Sequence, residues 1–321
     1  MTPPRHTQSA LNRLPADWAL FNDVLSGLRA TPKRLSSTYL YDERGSQLFD
    51  EICELPEYYV TRTETRILQT HARDIAARIG DGALLVELGS GASTKTRLLL
   101  DQLPDLSAYV PVDISRSHLQ AAAQRIASSY PRLEVLPVCA DFTQPFSLPR
   151  ARGGSRRVVV FFPGSTLGNF DSAAARDLLR SVRRIAGSNG GLLIGYDLVK
   201  DPAILRAAYN DRAGVTAAFN LNVLHRLNRD LGADFDPAAF RHDALWVPGP
   251  SRIEMHLVSL REQTVQLGDE AVTFAAAERL VTEHCHKYTP QSFAALADEA
   301  GWKGERTWTD EQSYFNVQYL R

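Results

Sequence analysis

The chain has 321 residues, 36 Lys and Arg against 37 Asp and Glu, a formal net charge of -1 and 44% hydrophobic residues. This length predicts two domains or one large α/β unit, and the composition excludes collagen, coiled coil and extensive disorder for most of the chain. The near-zero charge argues against nucleic acids and anionic membrane surfaces as partners.

The first predicted element is a helix at 17–28, where apolar residues recur at helical spacing. Residues 37–64 read as a loop rich in aromatic side chains, which serve a core and a binding site equally well. From about residue 62 short apolar runs alternate with helical patterns. The predicted strands are 83–88, 108–112, 133–138, 158–162 and 192–196, and the predicted helices are 61–79, 94–102, 116–129 and 172–186. This alternation predicts a doubly wound, mostly parallel α/β sheet.

The alternation ends after residue 197. Residues 200–250 read as helical and irregular, with prolines as breaks. The later predicted elements are strands 252–260, 262–267 and 280–288, a helix at 290–300, and strands 303–309 and 314–320. The change of pattern between 199 and 286 predicts a second lobe, with which the first 60 residues are grouped.

Three cysteines, Cys53, Cys139 and Cys285, are widely spaced and odd in number, which predicts neither a disulfide framework nor a paired-cysteine zinc site. Residues 1–15 are polar, rich in proline and predicted to be frayed. No stretch has the pattern of a signal peptide or of a membrane span. We therefore expect a cytoplasmic protein without a metal.

The clearest local motif is Glu87-Leu88-Gly89-Ser90-Gly91, between a predicted strand and a predicted helix. Glycines at such a turn let the backbone approach a ligand closely. The dinucleotide fingerprint would place its third small residue at Thr94, and Glu87 would repel a pyrophosphate. A nicotinamide dehydrogenase therefore stays open only as a less favoured alternative.

Two further strand ends carry acidic residues. Asp113 ends the next predicted strand, where a carboxylate can accept hydrogen bonds from ribose hydroxyls. Asp141 and Phe142 follow a third strand, where they can hold an adenine amino group and cover its ring. The plain alternative is that these acids cap helices. An acidic residue before G-x-G resembles the class I S-adenosylmethionine-dependent methyltransferases.

Five segments extend this resemblance: 55–64 (LPEYYVTRTE), 163–169 (PGSTLGN), 197–201 (DLVKD), 213–220 (AGVTAAFN) and 252–255 (RIEM). Together they resemble the histidine Nα-methyltransferase family of ergothioneine biosynthesis, which forms hercynine, from about residue 20 to the end. The resemblance implies a class I (Rossmann-like) methyltransferase sheet with a mixed α+β substrate-binding domain, and S-adenosyl-L-methionine as methyl donor with no metal. The implied domains are 62–198 plus 287–321 for the methyl donor and 15–61 plus 199–286 for the substrate.

The resemblance also implies the site residues. Those expected to bind the cofactor are Glu87, Gly89, Gly91, Lys95, Asp113, Asp141 and Phe142. Those expected to bind the substrate are Tyr58, Asn169, Tyr209, Thr216, Met255, Glu283 and Cys285. The catalytic set is Tyr41, Gly164 and Asn169, whose uncharged groups suit an acceptor amine that must be neutral to attack. Without the resemblance, Asn169 would read as a turn residue, and Tyr209 and Met255 as core.

Glu283 and Cys285 share one face of their predicted strand, while His284 and His286 share the other. The three consecutive side chains from His284 to His286 therefore cannot converge on a metal. On a pocket wall Glu283 could accept from an imidazole N–H, and a solvated strand-edge carboxylate is the alternative. The resemblance implies a hydroxyl at position 285, where the thiol of Cys285 is a weaker hydrogen-bond partner.

The sequence thus predicts a monomeric enzyme that methylates the α-amine of free L-histidine, a small-molecule substrate, up to three times. Two alternatives stay open. One is a methyltransferase of the same fold that acts on another small aromatic amino acid or amine, which Cys285 favours. The other is a non-catalytic module that senses the cofactor.

Overall fold

The computed structural model describes residues 18–91 and 93–321. Its α-helices are α1 (Trp18–Arg29), α2 (Glu43–Cys53), α3 (Tyr59–Ile79), α4 (Thr94–Leu100), α5 (Arg116–Ser129), α6 (Ser172–Ala186), α7 (Pro202–Ala208), α8 (Val215–Leu231) and α9 (Pro290–Glu299). Its strands are β1 (Lys33–Arg34), β2 (Ala83–Leu88), β3 (Ala108–Asp113), β4 (Val138–Cys139), β5 (Arg157–Phe162), β6 (Gly191–Asp197), β7 (Phe240–Val247), β8 (Arg252–Ser259), β9 (Gln263–Leu267), β10 (Glu270–Phe274), β11 (Arg279–His286), β12 (Gly304–Thr309) and β13 (Phe315–Leu320). The predicted frayed segment lies outside the described residues.

In the described part of the chain, the larger sheet has seven strands in the order β12-β13-β6-β5-β2-β3-β4. Strands β2 to β6 pair with one another in parallel, while β13 runs antiparallel to β6 and β12. Alternate residues pack into separate cores on the two faces: Leu85 and Val159 on one, Val86 and Val160 on the other. This confirms the predicted doubly wound α/β sheet. The strand order reverses at β2, because β3 and β4 lie on one side of it and β5 and β6 on the other. Ligands bind at the carboxyl ends of the strands at such a point.

The second sheet has four described strands in the order β1-β11-β8-β7, and β9 and β10 form a separate hairpin. Because β1 pairs in parallel with β11, the N-terminal segment joins the sheet that follows residue 240. Helix α2 packs against α8 beside this sheet. The domain boundaries given above stay a prediction, and residues 15–17 of the second domain lie outside the described residues.

Helices with clear end signals match their predicted bounds. Asp171 caps α6 by accepting from the backbone N–H groups of Ala173 and Ala174, at 3.0 and 2.9 Å, and Gly187 ends the helix with a φ of 73°. The predicted helices 116–129 and 172–186 are confirmed as α5 and α6. Among the described helices, none is long and apolar enough to cross a membrane.

Three predictions about local structure were wrong. The predicted loop at 37–64 contains α2, which Asp42 caps through Gly45 N–H and which buries Leu48 and Ile52. Of the predicted strand 133–138 only Val138 belongs to a strand, the edge strand β4, while Val135 forms an isolated parallel bridge with Tyr109. Pro137, between them, has no N–H to donate. Strand β7 was missed in a segment read as helical and irregular, and β10 lies between two predicted strands in a segment that was given no element.

Candidate active site

A cavity lies where the carboxyl ends of β2, β3 and β5 meet the second sheet. The predicted residues that line it are Tyr41, Tyr58, Gly89, Gly91, Asp113, Asp141, Phe142, Gly164, Asn169, Tyr209, Thr216, Met255, Glu283 and Cys285. These residues come from the strand ends and following turns of the larger sheet, from β8 and β11, from the segments before α2 and α3, from the end of α7 and from α8. The fold therefore gathers into one cavity groups that are more than 200 residues apart in sequence.

The glycine turn after β2 forms the floor of one end of this cavity. Gly89 and Gly91 have φ values of 67° and 48°, a region that favours glycine. The N–H of Gly91 donates a 3.0 Å hydrogen bond to the Asp113 carboxylate, which ties the turn to the end of β3. A Cβ at Gly89 would lie 3.7 Å from the Phe142 ring, so this ring borders the turn. An open turn beside an aromatic face suits a flat, uncharged ring system.

Two carboxylates border the same end, and the backbone orients each of them. Asp113 also accepts from Ser115 N–H at 2.9 Å, and Asp141 accepts from the N–H and hydroxyl of Thr143 at 2.9 and 2.7 Å. Each carboxylate is therefore held at its strand end before any ligand binds. Fixed acceptors at neighbouring strand ends are the groups that a ribose diol and an adenine amino group require.

The structure does not bring Glu87 and Lys95 to the cavity lining. Glu87 is buried and accepts from Thr96 Oγ1 at 2.6 Å and from the Tyr109 hydroxyl, and burial raises its pKa to about 7. Lys95 instead donates to the buried carboxylate of Glu64 at 2.5 Å. Glu87 thus links β2 to α4 and β3, and Lys95 is held by Glu64, which also accepts from the Gly164 N–H. The assignment of Glu87 and Lys95 as cofactor contacts stays a prediction.

Aromatic side chains form a wall at the middle of the cavity. The ring centroid of Tyr41 lies 5.6 Å from that of Phe49 and 5.4 Å from that of Phe219, in edge-to-face contact. The Tyr58 ring contacts Phe49 and Tyr209, with centroids 6.1 Å away in both cases. Burial raises the pKa of Tyr41 and of Tyr58 well above the usual value, so both phenols stay neutral.

Phe49 and Phe219 were not among the predicted site residues, although both line the cavity. They lie in α2 and α8, where an aromatic residue at helical spacing is indistinguishable from core. The edge-to-face contacts with Tyr41 arise only after the two helices pack together.

Gly164 and Asn169 enter the cavity from the turn after β5. Gly164 has a φ of 81°, and its N–H donates to the Glu64 carboxylate at 2.9 Å. A 3₁₀ helix, Thr166–Asn169, then carries Asn169 to the cavity wall. A Cβ at Gly168 would lie 2.7 Å from the carbonyl oxygen of His286, so only glycine lets this turn pack against β11.

The far end of the cavity is built from β8 and β11. Met255 pairs with Glu283 across the two strands, and the ladder shifts register between Val281 and Glu283. Glu283 is 8% exposed, burial raises its pKa to about 7, and its Oε2 has no hydrogen-bond partner among the described residues. Cys285 lies on the same wall, and its sulfur accepts from the Tyr209 hydroxyl at 2.9 Å. This end offers an unsatisfied buried acceptor to a polar ligand.

His286, by contrast, does not line the cavity: its Nδ1 lies 2.9 Å from the carbonyl oxygen of Gly168. Cys285 faces the cavity and His286 faces the 3₁₀ turn, as the alternation along the strand predicts. Thr216 is a further polar group at the wall, where its buried hydroxyl has no partner in the described part of the chain.

Comparison with known proteins gives a consistent result. A family model described as "Histidine-specific methyltransferase, SAM-dependent" matches residues 20–321. The chain is 44% identical to the histidine N-alpha-methyltransferase of Mycolicibacterium smegmatis, over 97% of this chain and 98% of that protein. It is 44% identical to the protein of that name from Mycobacterium tuberculosis, over 93% and 94%. It is 29% identical to ergothioneine biosynthesis protein 1 of Neurospora crassa, over 95% of this chain and 35% of that protein.

Proposed function

The chain belongs to the family of histidine-specific, S-adenosylmethionine-dependent methyltransferases, and from this membership we propose that it methylates the α-amine of free L-histidine up to three times, giving hercynine. Membership confirms the predicted enzyme class, methyl donor and methyltransferase fold. The observation that carries the choice of substrate is the buried, unpartnered carboxyl oxygen of Glu283 in the same cavity as Asp113 and Asp141. An imidazole N–H is a donor that fits it.

We assign the methyl donor to the end of the cavity formed by the glycine turn. Asp113 would accept from the ribose hydroxyls, Asp141 from the adenine amino group, and Phe142 would cover the ring. The donor supplies an electrophilic methyl group on a sulfonium. Lys95 is close to this end, since its Nζ lies 3.8 Å from a Cβ built on Gly164.

We assign histidine to the end formed by β8 and β11. Glu283 and Cys285 would face the imidazole, with the thioether side chain of Met255 packed against the ring. Asn169 and Tyr209 would donate to the α-carboxylate through an amide and a phenol, neither of which adds charge. This arrangement directs the α-amine toward the Tyr41 side of the cavity.

The acceptor nitrogen must carry a free electron pair, because it forms the new N–C bond as the C–S bond of the donor breaks. The groups we place beside the amine are the Tyr41 hydroxyl, the Gly164 carbonyl and the Asn169 amide, none of them an anion. Such partners orient the amine without stabilising its ammonium form, which an adjacent carboxylate would do. Positioning of this kind is the main requirement of an in-line displacement.

Repeated transfer adds positive charge and bulk at the nitrogen. After the first and second transfers one proton leaves the nitrogen, and the third transfer produces a quaternary ammonium that has no proton to lose. The aromatic wall of Tyr41, Phe49, Tyr58 and Phe219 can accommodate such a cation, because aromatic faces attract ammonium groups. The wall thus supports trimethylation as the outcome.

The test is incubation of the purified chain with S-adenosyl-L-methionine and separate free amino acids, including histidine and tryptophan, followed by mass spectrometry. We expect histidine to gain three methyl groups. Methylation of another amino acid but not histidine would instead favour the second candidate, which Cys285 motivates. Cofactor binding without turnover of any amine would favour the sensing module. The monomeric state, the cytoplasmic location and the exclusion of nucleic-acid and membrane partners stay predictions.

A further inference from the structure

The cavity as a whole has more acidic than basic side chains in its lining. Four acidic residues line the cavity: Asp50, Asp113, Asp141 and Glu283. The lining contains no lysine or arginine among the described residues. A free amino acid brings a carboxylate into this setting. Removing that anion from water is costly unless a positive charge or strong donors compensate for it. Asn169 and Tyr209 offer neutral donors on the wall, so a compensating positive charge would have to act from behind it.

Lys287 lies directly behind that wall, one residue beyond β11. Its side chain is fully buried, and its Nζ lies 2.9 Å from the Tyr209 hydroxyl oxygen and 3.1 Å from the Cys285 sulfur. The Nζ also lies 2.7 Å from the Asp197 carboxylate, at the end of β6. Lys287 thus touches two cavity-lining side chains while staying outside the cavity.

The cluster around Asp197 carries a surplus of positive charge. The Asp197 carboxylate, itself fully buried, pairs with Lys287 and also with Lys200 at 2.6 Å, and it accepts from the Tyr59 hydroxyl at 2.7 Å. One carboxylate therefore faces two ammonium groups. Burial lowers the pKa of Lys200 to about 8, while Asp197 outweighs burial at Lys287 and raises its pKa. Among the described residues Lys200 forms an ion pair with Asp197 alone, although the buried Asp310 also favours its charged form.

The contact with Lys287 fixes the direction of the Tyr209 hydroxyl. An ammonium group has only donors, so the phenol oxygen accepts from Lys287 and must donate its own proton elsewhere. In the structure that proton goes to the Cys285 sulfur, a weak acceptor. A carboxylate is a much stronger acceptor and would take its place. Burial raises the pKa of Tyr209 well above the usual value, so the proton remains on the hydroxyl.

We propose that Lys287 is a positioning residue that commits the Tyr209 hydroxyl to the substrate α-carboxylate, and that it thereby selects free amino acids over substrates without a carboxylate. This inference rests on the proposed function, from which it takes the place of the carboxylate. Lys287 supplies the positive charge near the carboxylate, and its contact with Tyr209 lets the enzyme distinguish substrates with a carboxylate from those without one.

The test compares histidine with histidinamide, which keeps the amine and the imidazole but lacks the carboxylate. The measured quantity is the ratio of kcat/KM for the two substrates, in the parent and in Lys287→Met. We expect the ratio to fall about tenfold or more, through a higher KM for histidine, while the KM for S-adenosyl-L-methionine is unchanged. Equal losses on both substrates would show a merely structural role and overturn the proposal.

Lys200→Met is the matched control. It removes the same charge from the same Asp197 carboxylate, but Lys200 contacts neither Tyr209 nor Cys285 among its hydrogen bonds. We expect its ratio to stay within about threefold of the parent. A drop as large as that of Lys287→Met would mean that net charge alone, and not the contact with Tyr209, is responsible.

Lys287→Met leaves Asp197 paired with Lys200, so the variant should fold. If Lys287→Met does not fold, Tyr209→Phe tests the contact between Lys287 and the Tyr209 hydroxyl from its other side. This variant should also lower the ratio of kcat/KM, and an unchanged ratio would overturn the proposal. The double variant should lose no more than Tyr209→Phe alone, because Lys287 acts through the Tyr209 hydroxyl. Methylation of histidine by the parent protein tests the proposed function separately. If it methylates a different free amino acid, the ratio is measured with that amino acid and its amide.

Discussion

The hydroxyl group of Tyr209 donates a 2.9 Å hydrogen bond to the sulfur of Cys285, on the wall where the Oε2 atom of Glu283 has no hydrogen-bond partner among the described residues. Sulfur is a weak acceptor and a thiol is a weak donor, so this position holds a polar ligand less firmly than a hydroxyl would. Burial also raises the pKa of Cys285, which keeps the thiol neutral. We therefore expect the thiol of Cys285 to weaken substrate binding relative to a hydroxyl.

Cys285→Ser should lower the KM for histidine severalfold with little change in kcat. A hydroxyl forms a stronger hydrogen bond than a thiol, and one such bond contributes on the order of 1 kcal/mol. Steady-state kinetics at saturating methyl donor would measure the effect. Cys139→Ser is the control, since Cys139 is exposed and does not line the cavity. A KM for histidine that rises in Cys285→Ser would contradict the prediction and point to another substrate.

At about pH 8, above the folded pKa of Glu283, Glu283→Ala should weaken histidine binding by about 1.5–3 kcal/mol, the range for a hydrogen bond to a charged group, and leave cofactor binding unchanged. The reason is that Glu283 supplies the buried acceptor at the histidine end, away from the glycine turn. Calorimetric titration of each ligand would separate the two affinities. Equal histidine affinity in variant and parent would place Glu283 outside the substrate contacts.

Asp113→Ala should have the reverse selectivity. Asp113 accepts from Gly91 N–H and faces the turn that we assign to the methyl donor, so its loss removes a ribose partner and loosens the turn. The same titrations should show weaker binding of S-adenosyl-L-methionine, with histidine binding reduced less. If cofactor affinity is unchanged, Asp113 does not have this role.

Local patterns predicted much of the fold. Helices α5 and α6 have clear apolar stripes and end signals, and both match their predicted bounds. The strand β7 was missed because its residues are mostly half-buried, so neither a continuous apolar run nor a clean alternation marks it. Pairing with β8 stabilises β7 as a strand, and this is a tertiary effect.

At the site, too, local patterns predicted some features, and others depend on tertiary contacts. Fourteen predicted residues line the cavity because strand ends and the family resemblance fix where backbone positions lie. The side-chain directions of Glu87 and Lys95 depend on Tyr109 and Glu64, which are distant in sequence or on another element. No pattern along the chain indicates such a partner. The sequence therefore predicted where the backbone lies better than which way a charged side chain turns.

Glu64→Leu should lower the free energy of unfolding by about 3–5 kcal/mol, because it leaves Lys95 and the N–H of Gly164 without their buried partner. Glu64→Gln keeps an acceptor for Gly164 and should cost less. Glu51→Gln is the surface control: Glu51 pairs with Arg44 where both side chains are about half exposed, so the change should be below about 1 kcal/mol. Urea unfolding measures all three, and equal losses in Glu64→Leu and Glu51→Gln would contradict the buried pairing.

Glu283→Gln should make stability less sensitive to rising pH. Burial raises the pKa of Glu283 to about 7 in the folded protein, above the ordinary value of a glutamate, so folding favours its protonated form. Its contribution is complete below the unfolded pKa and is lost as pH rises through the folded pKa. Between about pH 4.5 and 7 the parent should therefore lose up to about 3 kcal/mol relative to Glu283→Gln, at about 1.4 kcal/mol per pH unit. The measurement is urea unfolding of both proteins across this range. The difference in their unfolding free energies removes the contribution of other titrating groups, which both proteins share. A difference that stays constant with pH would mean that Glu283 is ionised in the folded protein, and that the imidazole would meet a charged partner before it binds.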